Sequence, residues 1–225
     1  NAFKGTYWYE SIQPDGLVYI NNILYTYKGE MPNNASIVID EGTKSISPCA
    51  FLSCNSLENI TIPNTVISIE HQAFENCSSL KSITIPNKLK RIEYRTFQGC
   101  YSLSEVVIPR SVTSIGWQAF GGCSSLTSIC FENPDCVISD SSGTIPNGTT
   151  IYGYFDSTAY AYAVKYNKDF ELIKEAHTGT LGVNDDFYYK FDETTQTLTI
   201  IGADEFEFYI DQNGKLEQFH HKNLQ

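Results

Sequence analysis

Positive charge is scarce in this 225-residue sequence: 15 Lys and Arg stand against 26 Asp and Glu, a net charge of −11. Phosphate binding needs a basic face, so nucleic acid is excluded as the expected partner. Long apolar runs are also missing. No stretch approaches the roughly 18 apolar residues of a membrane helix, so no membrane insertion is expected of this segment. The sequence contains no Gly-x-Ser-x-Gly elbow, no phosphate loop and no His-Glu-x-x-His pair, and no enzyme is expected. A secretory leader is absent as well. The chain begins instead with Asn1-Ala2-Phe3, which matches part of an internal repeat. It therefore reads as an excerpt of a longer protein, and the missing leader carries no information about export.

What is abundant points to β-structure. Fifteen Tyr and 13 Phe accompany recurrent Thr and Ile, residues that suit a pleated, half-buried surface. Internal repetition then decides the architecture. Phe51, Phe74, Phe97 and Phe120 recur every 23 residues, as do Cys54, Cys77, Cys100 and Cys123, and Leu57, Leu80, Leu103 and Leu126. Ile60/Ile62, Ile83/Ile85, Val106/Ile108 and Ile129/Phe131 alternate as short strands with one face buried, and Pro63, Pro86 and Pro109 end three of them. Ile46, Ile69, Ile92 and Ile115 form a second apolar column, and Ile37 and Ile39 extend the array back by one coil. Ala73, Phe74 and Cys77 are expected to return the chain through a tight helical turn. One such coil cannot stand alone. About seven buried apolar side chains give on the order of 10–20 kcal/mol, less than the cost of ordering about 23 backbone units. Stacking supplies the rest.

The fold class is therefore mainly β: a solenoid of 23-residue coils over residues 1–173, followed by a small β-module over 174–225. Leu17–Ile20 and Ile23–Tyr25 flank Asn21-Asn22, a hairpin inserted near the N-terminus. Asp156 or Ser157 can start a helix over Thr158–Tyr166 and Asn167 can stop it, giving a cap over the open end of the core. From Lys174 onward the period is lost and ten acids face four lysines. There Phe187–Phe191 is expected to pair with Thr197–Ile201, and Phe206–Ile210 with Lys215–Phe219.

The stretch Leu80-Lys81-Ser82-Ile83-Thr84-Ile85-Pro86, with Ala73-Phe74-Glu75-Asn76-Cys77 and their counterparts, resembles the BspA-like class of bacterial leucine-rich repeats. Thr96 departs from the pattern, which has alanine there. The segments around Trp8–Gly29 and Thr150–Tyr154 are similar to recurrent parts of the same family, so the likeness covers residues 1–173. The stretch Gly179–Gly202 resembles a small β-module found beside such repeats. The resemblance implies a secreted or surface-attached bacterial protein without catalytic residues. It also implies a protein ligand, on a host matrix or another bacterium. A glycan ligand and a spacer role are the alternatives.

Seven cysteines leave at least one without an intrachain disulfide partner. Neighbouring coils sit about 4.8 Å apart with parallel side chains, a poor geometry for a disulfide. The Cys54–Cys123 row is expected to hold buried, reduced thiols. A straight row also cannot supply the four converging ligands of zinc. Cys130 and Cys136 could approach each other, and Cys49 is expected to be inert. No cofactor or metal follows from the rest. His220 and His221 are adjacent on a strand and point oppositely. Aligning Asp211-Gln212-Asn213-Gly214 with a calcium loop puts Tyr209 and His220 at ligand positions, so a turn explains it better.

Two surfaces are candidates for binding. Thr61, Thr84, Val107 and Cys130 should project outward from the strand sheet, but they lack the large anchors typical of binding hot spots. His71, Tyr94 and Trp117, again 23 apart, should stack on successive coils, with Arg95 beside Tyr94 and Arg91, Arg110, Lys88 and Lys90 making the middle coils basic. Such a column suits an acidic partner or a sugar ring. Side chains that merely fill gaps between coils would give the same pattern.

Overall fold

The computed structural model describes residues 4–173 and, beyond them, five strand segments within 178–221. The chain divides into two compact units, Asn1–Ile173 and Lys174–Gln225.

The first unit is a β-solenoid of about seven turns. One parallel ladder runs through Ala35–Val38, Leu57–Thr61, Glu105–Ile108, Ser128–Phe131, Thr150–Gly153 and Phe170–Leu172. In the third coil the expected strand at Ile83–Ile85 narrows to one residue. The ladder passes it through the bridges Asn59 to Ser82 and Ser82 to Glu105. A second column of strands uses two residues per coil and pairs in two stretches, Ser45–Ile46 with Ser68–Ile69, then Arg91–Ile92 with Ser114–Ile115 and Val137–Ile138. Paired residues in both ladders lie 23 positions apart in the regular coils, so each apolar column is carried in register.

The return segment is not helical. Ala73 N–H donates to Glu70 O (3.2 Å), Glu75 N–H to Gln72 O (3.2 Å) and Cys77 N–H to Phe74 O (3.2 Å), forming linked tight turns. Left-handed residues interrupt them at two positions per coil: Cys49, Gln72, Arg95 and Gln118, then Ser53, Asn76, Gly99 and Gly122. A helix cannot propagate through such positions. The freed amides bond to the next coil instead, as in Phe51 N–H to Ala73 O (2.8 Å), Phe74 N–H to Thr96 O (2.9 Å) and Phe97 N–H to Ala119 O (2.8 Å).

The interior follows from this stacking. Phe51, Phe74, Phe97 and Phe120 are fully buried, with successive ring centroids 5.1, 5.5 and 5.5 Å apart and nearly parallel. The cysteines form a second file. No disulfide links any of the seven. Cys77, Cys100 and Cys123 each donate a thiol hydrogen bond to the carbonyl of a phenylalanine one coil back: Phe51 (3.1 Å), Phe74 (3.2 Å) and Phe97 (3.1 Å). These residues are small core side chains that also satisfy backbone carbonyls. Cys136 is buried in the core while Cys130 lies on the ladder Ser128–Phe131. The two therefore do not form the cross-link that their spacing left open.

Both ends depart from the regular coil. Gly16–Ile20 pairs antiparallel with Ile23–Lys28 around Asn21, whose φ is 54°. The hairpin does not replace a coil outright, because Ile23–Lys28 also runs parallel to Ser45–Ile46 and extends the second ladder. Tyr9, Val18 and Tyr25 make a small separate core beneath it. At the other end Ser157 is the N-cap of the helix Thr158–Tyr166, accepting from Tyr160 N–H, and left-handed Asn167 ends it. Ala159, Tyr162 and Ala163 are its buried face. Tyr162 Oη donates to Ser141 O (2.7 Å) and accepts from Ile145 N–H (3.3 Å), fixing the helix over the last coil.

The second unit is a five-stranded antiparallel meander of Thr178–Leu181, Phe187–Asp192, Thr197–Ile201, Phe206–Ile210 and Leu216–His221. Both expected strand pairs form, the second with Leu216–His221 in place of Lys215–Phe219. His220 and His221 close the last strand. The turn expected at Asp211–Gly214 lies outside the described residues.

Candidate functional site

The second ladder carries the most distinctive surface of the solenoid. Each coil leaves its two-residue strand and presents one exposed side chain, followed in three coils by left-handed Gln72, Arg95 and Gln118. In successive coils that position holds His71, Tyr94, Trp117 and Asp140. Tyr94 and Trp117 are 38% and 40% exposed. Their rings stack with centroids 5.5 Å apart and an interplanar angle of 13°. His71 stands exposed one coil earlier.

Backbone geometry explains why these two rings meet. Gly116 precedes Trp117 at a position that Glu70 and Glu93 fill in the preceding coils. A Cβ on Gly116 would lie 2.7 Å from both Glu93 C and Tyr94 N, closer than packed atoms tolerate. Glycine lets the coils close up, and Gly116 N–H donates to Ile92 O at 2.7 Å. Sequence reading missed this residue. The signal was available, since glycine stands alone in a column of Ser47, Glu70, Glu93 and Ser139.

Arg95 locks the pair from the protein side. Its guanidinium carbon lies 4.9 Å from the Tyr94 centroid and 5.2 Å from that of Trp117, within cation–π range of both. Nη1 also lies 3.8 Å from Glu75 Oε1. Glu75 is itself buried and accepts a hydrogen bond from Gln72 Nε2. Arg95 is thus a half-buried prop with its charge partly answered, a role its place in the sequence does not reveal.

The remaining predicted residues divide between two sheets. Arg91 starts the second-ladder strand of Tyr94's own coil, donating to Ser114 Oγ (3.2 Å) and lying 3.8 Å from Glu93. Arg110 is exposed on the turn after Pro109. Thr61, Thr84 and Val107 are exposed on the first ladder, a different sheet, and are not brought to the aromatic pair. Cys130, on that ladder, is half-buried. Lys81 and Glu58 form a 3.0 Å ion pair across adjacent coils there.

The thiols are chemically quiet. Burial pushes Cys54 up to about 11 and Cys123 and Cys136 up to about 12, and holds Cys77 and Cys100 well above the ordinary thiol range. Among the described residues no cluster of His, Cys, Asp and Glu could hold a metal ion. Among them, too, no helix is long and apolar enough to cross a membrane.

The model of the BspA type leucine rich repeat region matches residues 2–142 in six copies. Among solved structures the chain is similar to a leucine rich cell surface protein from Faecalibacterium prausnitzii A2-165, at 27% identity over 68% of this chain and 35% of that one, with a TM-score of 0.48. It is also similar to a leucine-rich repeat protein from Bacteroides ovatus ATCC 8483, at 26% identity over 59% of this chain and 42% of that one, TM-score 0.49. The chain therefore spans less than half the length of either. The pneumococcal vaccine antigen PcpA shares the fold, at 21% identity over 69% of this chain and 45% of that one, TM-score 0.54. No curated protein matches. Six repeat copies over most of the solenoid, with the Phe and Cys files in register, are the mark of one family: this chain belongs to the BspA-type leucine-rich repeat family.

Proposed function

We propose that the chain is a non-enzymatic recognition module of a bacterial surface or secreted protein, and that it adheres to a protein partner. The observation that carries this reading is the exposed Tyr94–Trp117 pair with Arg95 across its flank. Trp, Tyr and Arg are the residues that dominate protein–protein hot spots, and here they are held in a fixed geometry, which lowers the ordering cost of binding. Family membership supports the same reading. So does the direction of the thiol shifts, since a nucleophilic cysteine needs its pKa lowered, not raised. A sugar platform is less well supported. Stacking on a sugar needs a ring face open to solvent, and the mutual stack leaves each of these rings only its outer one.

The test is surface plasmon resonance of the chain over immobilised host-matrix proteins and bacterial surface proteins, run beside a glycan array. The expected result is a protein ligand whose affinity falls at least about tenfold in Tyr94→Ala/Trp117→Ala, the loss of one hot-spot contact. Glycan binding without protein binding would overturn the reading, and silence on both would leave a spacer.

A further inference from the structure

The edge between the two ladders carries a charge pattern that the aromatic pair alone does not explain. In the third coil the turn after Pro86 presents Lys88 and Lys90, and Arg91 follows at the strand; in the fourth, Arg110 occupies the same turn. All four are exposed. Among the described residues Lys88, Lys90 and Arg110 enter no ion pair. Two acids do face this patch: Glu93, 3.8 Å from Arg91, and Glu132, which accepts from the Arg110 amide at 3.2 Å. Neither answers the two lysines.

The same edge is acidic on either side. Asp40 and Glu41 stand on the first coil's turn, followed there by Lys44, and Glu132 and Asp135 stand on the fifth's. A cationic band therefore sits between anionic ends in a protein of net charge −11. The band also runs directly into the aromatic pair. Thr113 N–H donates to Lys90 O (2.8 Å) and Gly116 N–H to Ile92 O (2.7 Å), so the third and fourth coils are joined side by side from the lysines to Tyr94 and Trp117. From Lys88 to Tyr94 the backbone spans at most about 20 Å at roughly 3.3 Å per residue, the length of an extended segment of about six residues.

Deepening the recognition reading, on which this rests, we propose that this edge binds an acidic polypeptide segment. Its carboxylates lie over Lys88, Lys90, Arg91 and Arg110, and an apolar side chain packs against Tyr94 and Trp117. The acidic ends set the register, because sliding the segment one coil toward the C-terminus brings its carboxylates to Glu132 and Asp135, and two coils toward the N-terminus brings them to Asp40 and Glu41. A polypeptide fits better than a sulfated glycan because the cations end at an apolar ledge that a uniformly charged chain would leave unused.

The probes are a short peptide in which Glu alternates with Leu, the same peptide with Gln for Glu, and heparin, each titrated against the whole chain with Trp117 fluorescence as the signal and Trp117→Phe as its control. The Glu peptide should bind, at least about tenfold tighter than the Gln peptide, and weaken with added salt. Lys88→Glu/Lys90→Glu should remove that binding while circular dichroism and melting stay unchanged. Equal binding of the Glu and Gln peptides, or undiminished binding by the charge-reversed variant, would overturn the proposal. So would heparin binding in the absence of peptide binding, which would assign the edge to sulfated glycans. If a matrix protein found by plasmon resonance still binds Lys88→Glu/Lys90→Glu at full affinity, the placement fails while the recognition reading stands. If the unaltered chain takes up neither peptide nor any protein, both fail.

Discussion

Phe97 and Phe120 lie three residues after Tyr94 and Trp117, and the same 23-residue period stacks both pairs at a centroid separation of 5.5 Å. One pair is wholly buried and the other about two-fifths exposed. The repeat therefore delivers aromatic stacking on both sides of the coil wall, and only the side decides its consequence. Inside, the rings continue through four coils and share their environment with the thiol file. Outside, the stacking involves two coils only and depends on a glycine and an arginine found once each in their columns. The interior file repeats in four coils, and the exterior pair occurs in two.

The largest expected effect tests whether the interior rows are sealed. Burial raises the thiols of the four fully buried cysteines, Cys77, Cys100, Cys123 and Cys136, so each keeps in the folded chain a proton that the unfolded chain releases from about pH 8.5 upward, and half-buried Cys54, raised to about 11, adds to them. The stability tied to these groups is complete below that pH. It is lost as pH rises toward the folded values, about 12 for Cys123 and Cys136. Each thiol contributes about 1.4 kcal/mol per pH unit, and four give on the order of 5 kcal/mol per unit. Guanidinium midpoints measured between pH 8 and 10 should fall steeply, with a clearly shallower slope in Cys77→Ala/Cys123→Ala. A flat profile would mean that the file is open to solvent.

Phe97→Ala comes next. It removes the ring between Phe74 and Phe120 and should cost about 3–5 kcal/mol, read as a drop in the denaturation midpoint. A loss no larger than that of Tyr94→Ala would erase the distinction between the two sides.

Why the interior was legible in the sequence and the exterior only partly so follows from the same comparison. Phe51 to Phe120 and Cys54 to Cys123 repeat because every coil needs them, so period alone places them in one file. The hairpin around Asn21-Asn22 and the helix Thr158–Tyr166 were legible from local turn and cap chemistry. The return segment was misread as helical because Gln72, Arg95 and Gln118 adopt left-handed backbone without being glycine or asparagine. Their conformation is imposed by bonds to the next coil, which no local propensity encodes. The thiol hydrogen bonds to Phe carbonyls were invisible for a related reason: donor and acceptor are 26 residues apart. On the surface, residue types singled out Tyr94, Trp117 and Arg95 as one column and Thr61, Thr84 and Val107 as another, but they did not show that Gly116 lets the two rings of the first column meet.

Gly116→Ala should have a smaller effect, about 1–3 kcal/mol, because its Cβ would press on the backbone of Glu93 and Tyr94 and the coils must part to admit it. The separation should show more clearly in the rings than in stability. Trp117 emission should shift toward the solvent-exposed wavelength while Phe97 and Phe120, anchored inside, keep their packing. An unchanged Trp117 spectrum would mean that the stack does not depend on close coil approach.

The smallest stability effect belongs to the exterior pair itself, and there a small number is informative. Tyr94→Ala forfeits a stacking contact and a cation–π contact but exposes little that was buried, so about 1 kcal/mol or less is expected. Arg95→Ala should cost more than Tyr94→Ala despite its distance from the Phe file, because it leaves buried Glu75 without its cation. If that order holds in thermal melts, Arg95 serves the fold and the rings serve the surface. Tyr94 and Trp117 can then be altered to change what the solenoid binds without changing whether it folds. If Tyr94→Ala proves the more damaging, the rings are a continuation of the core, and the case for a binding ledge loses its physical basis.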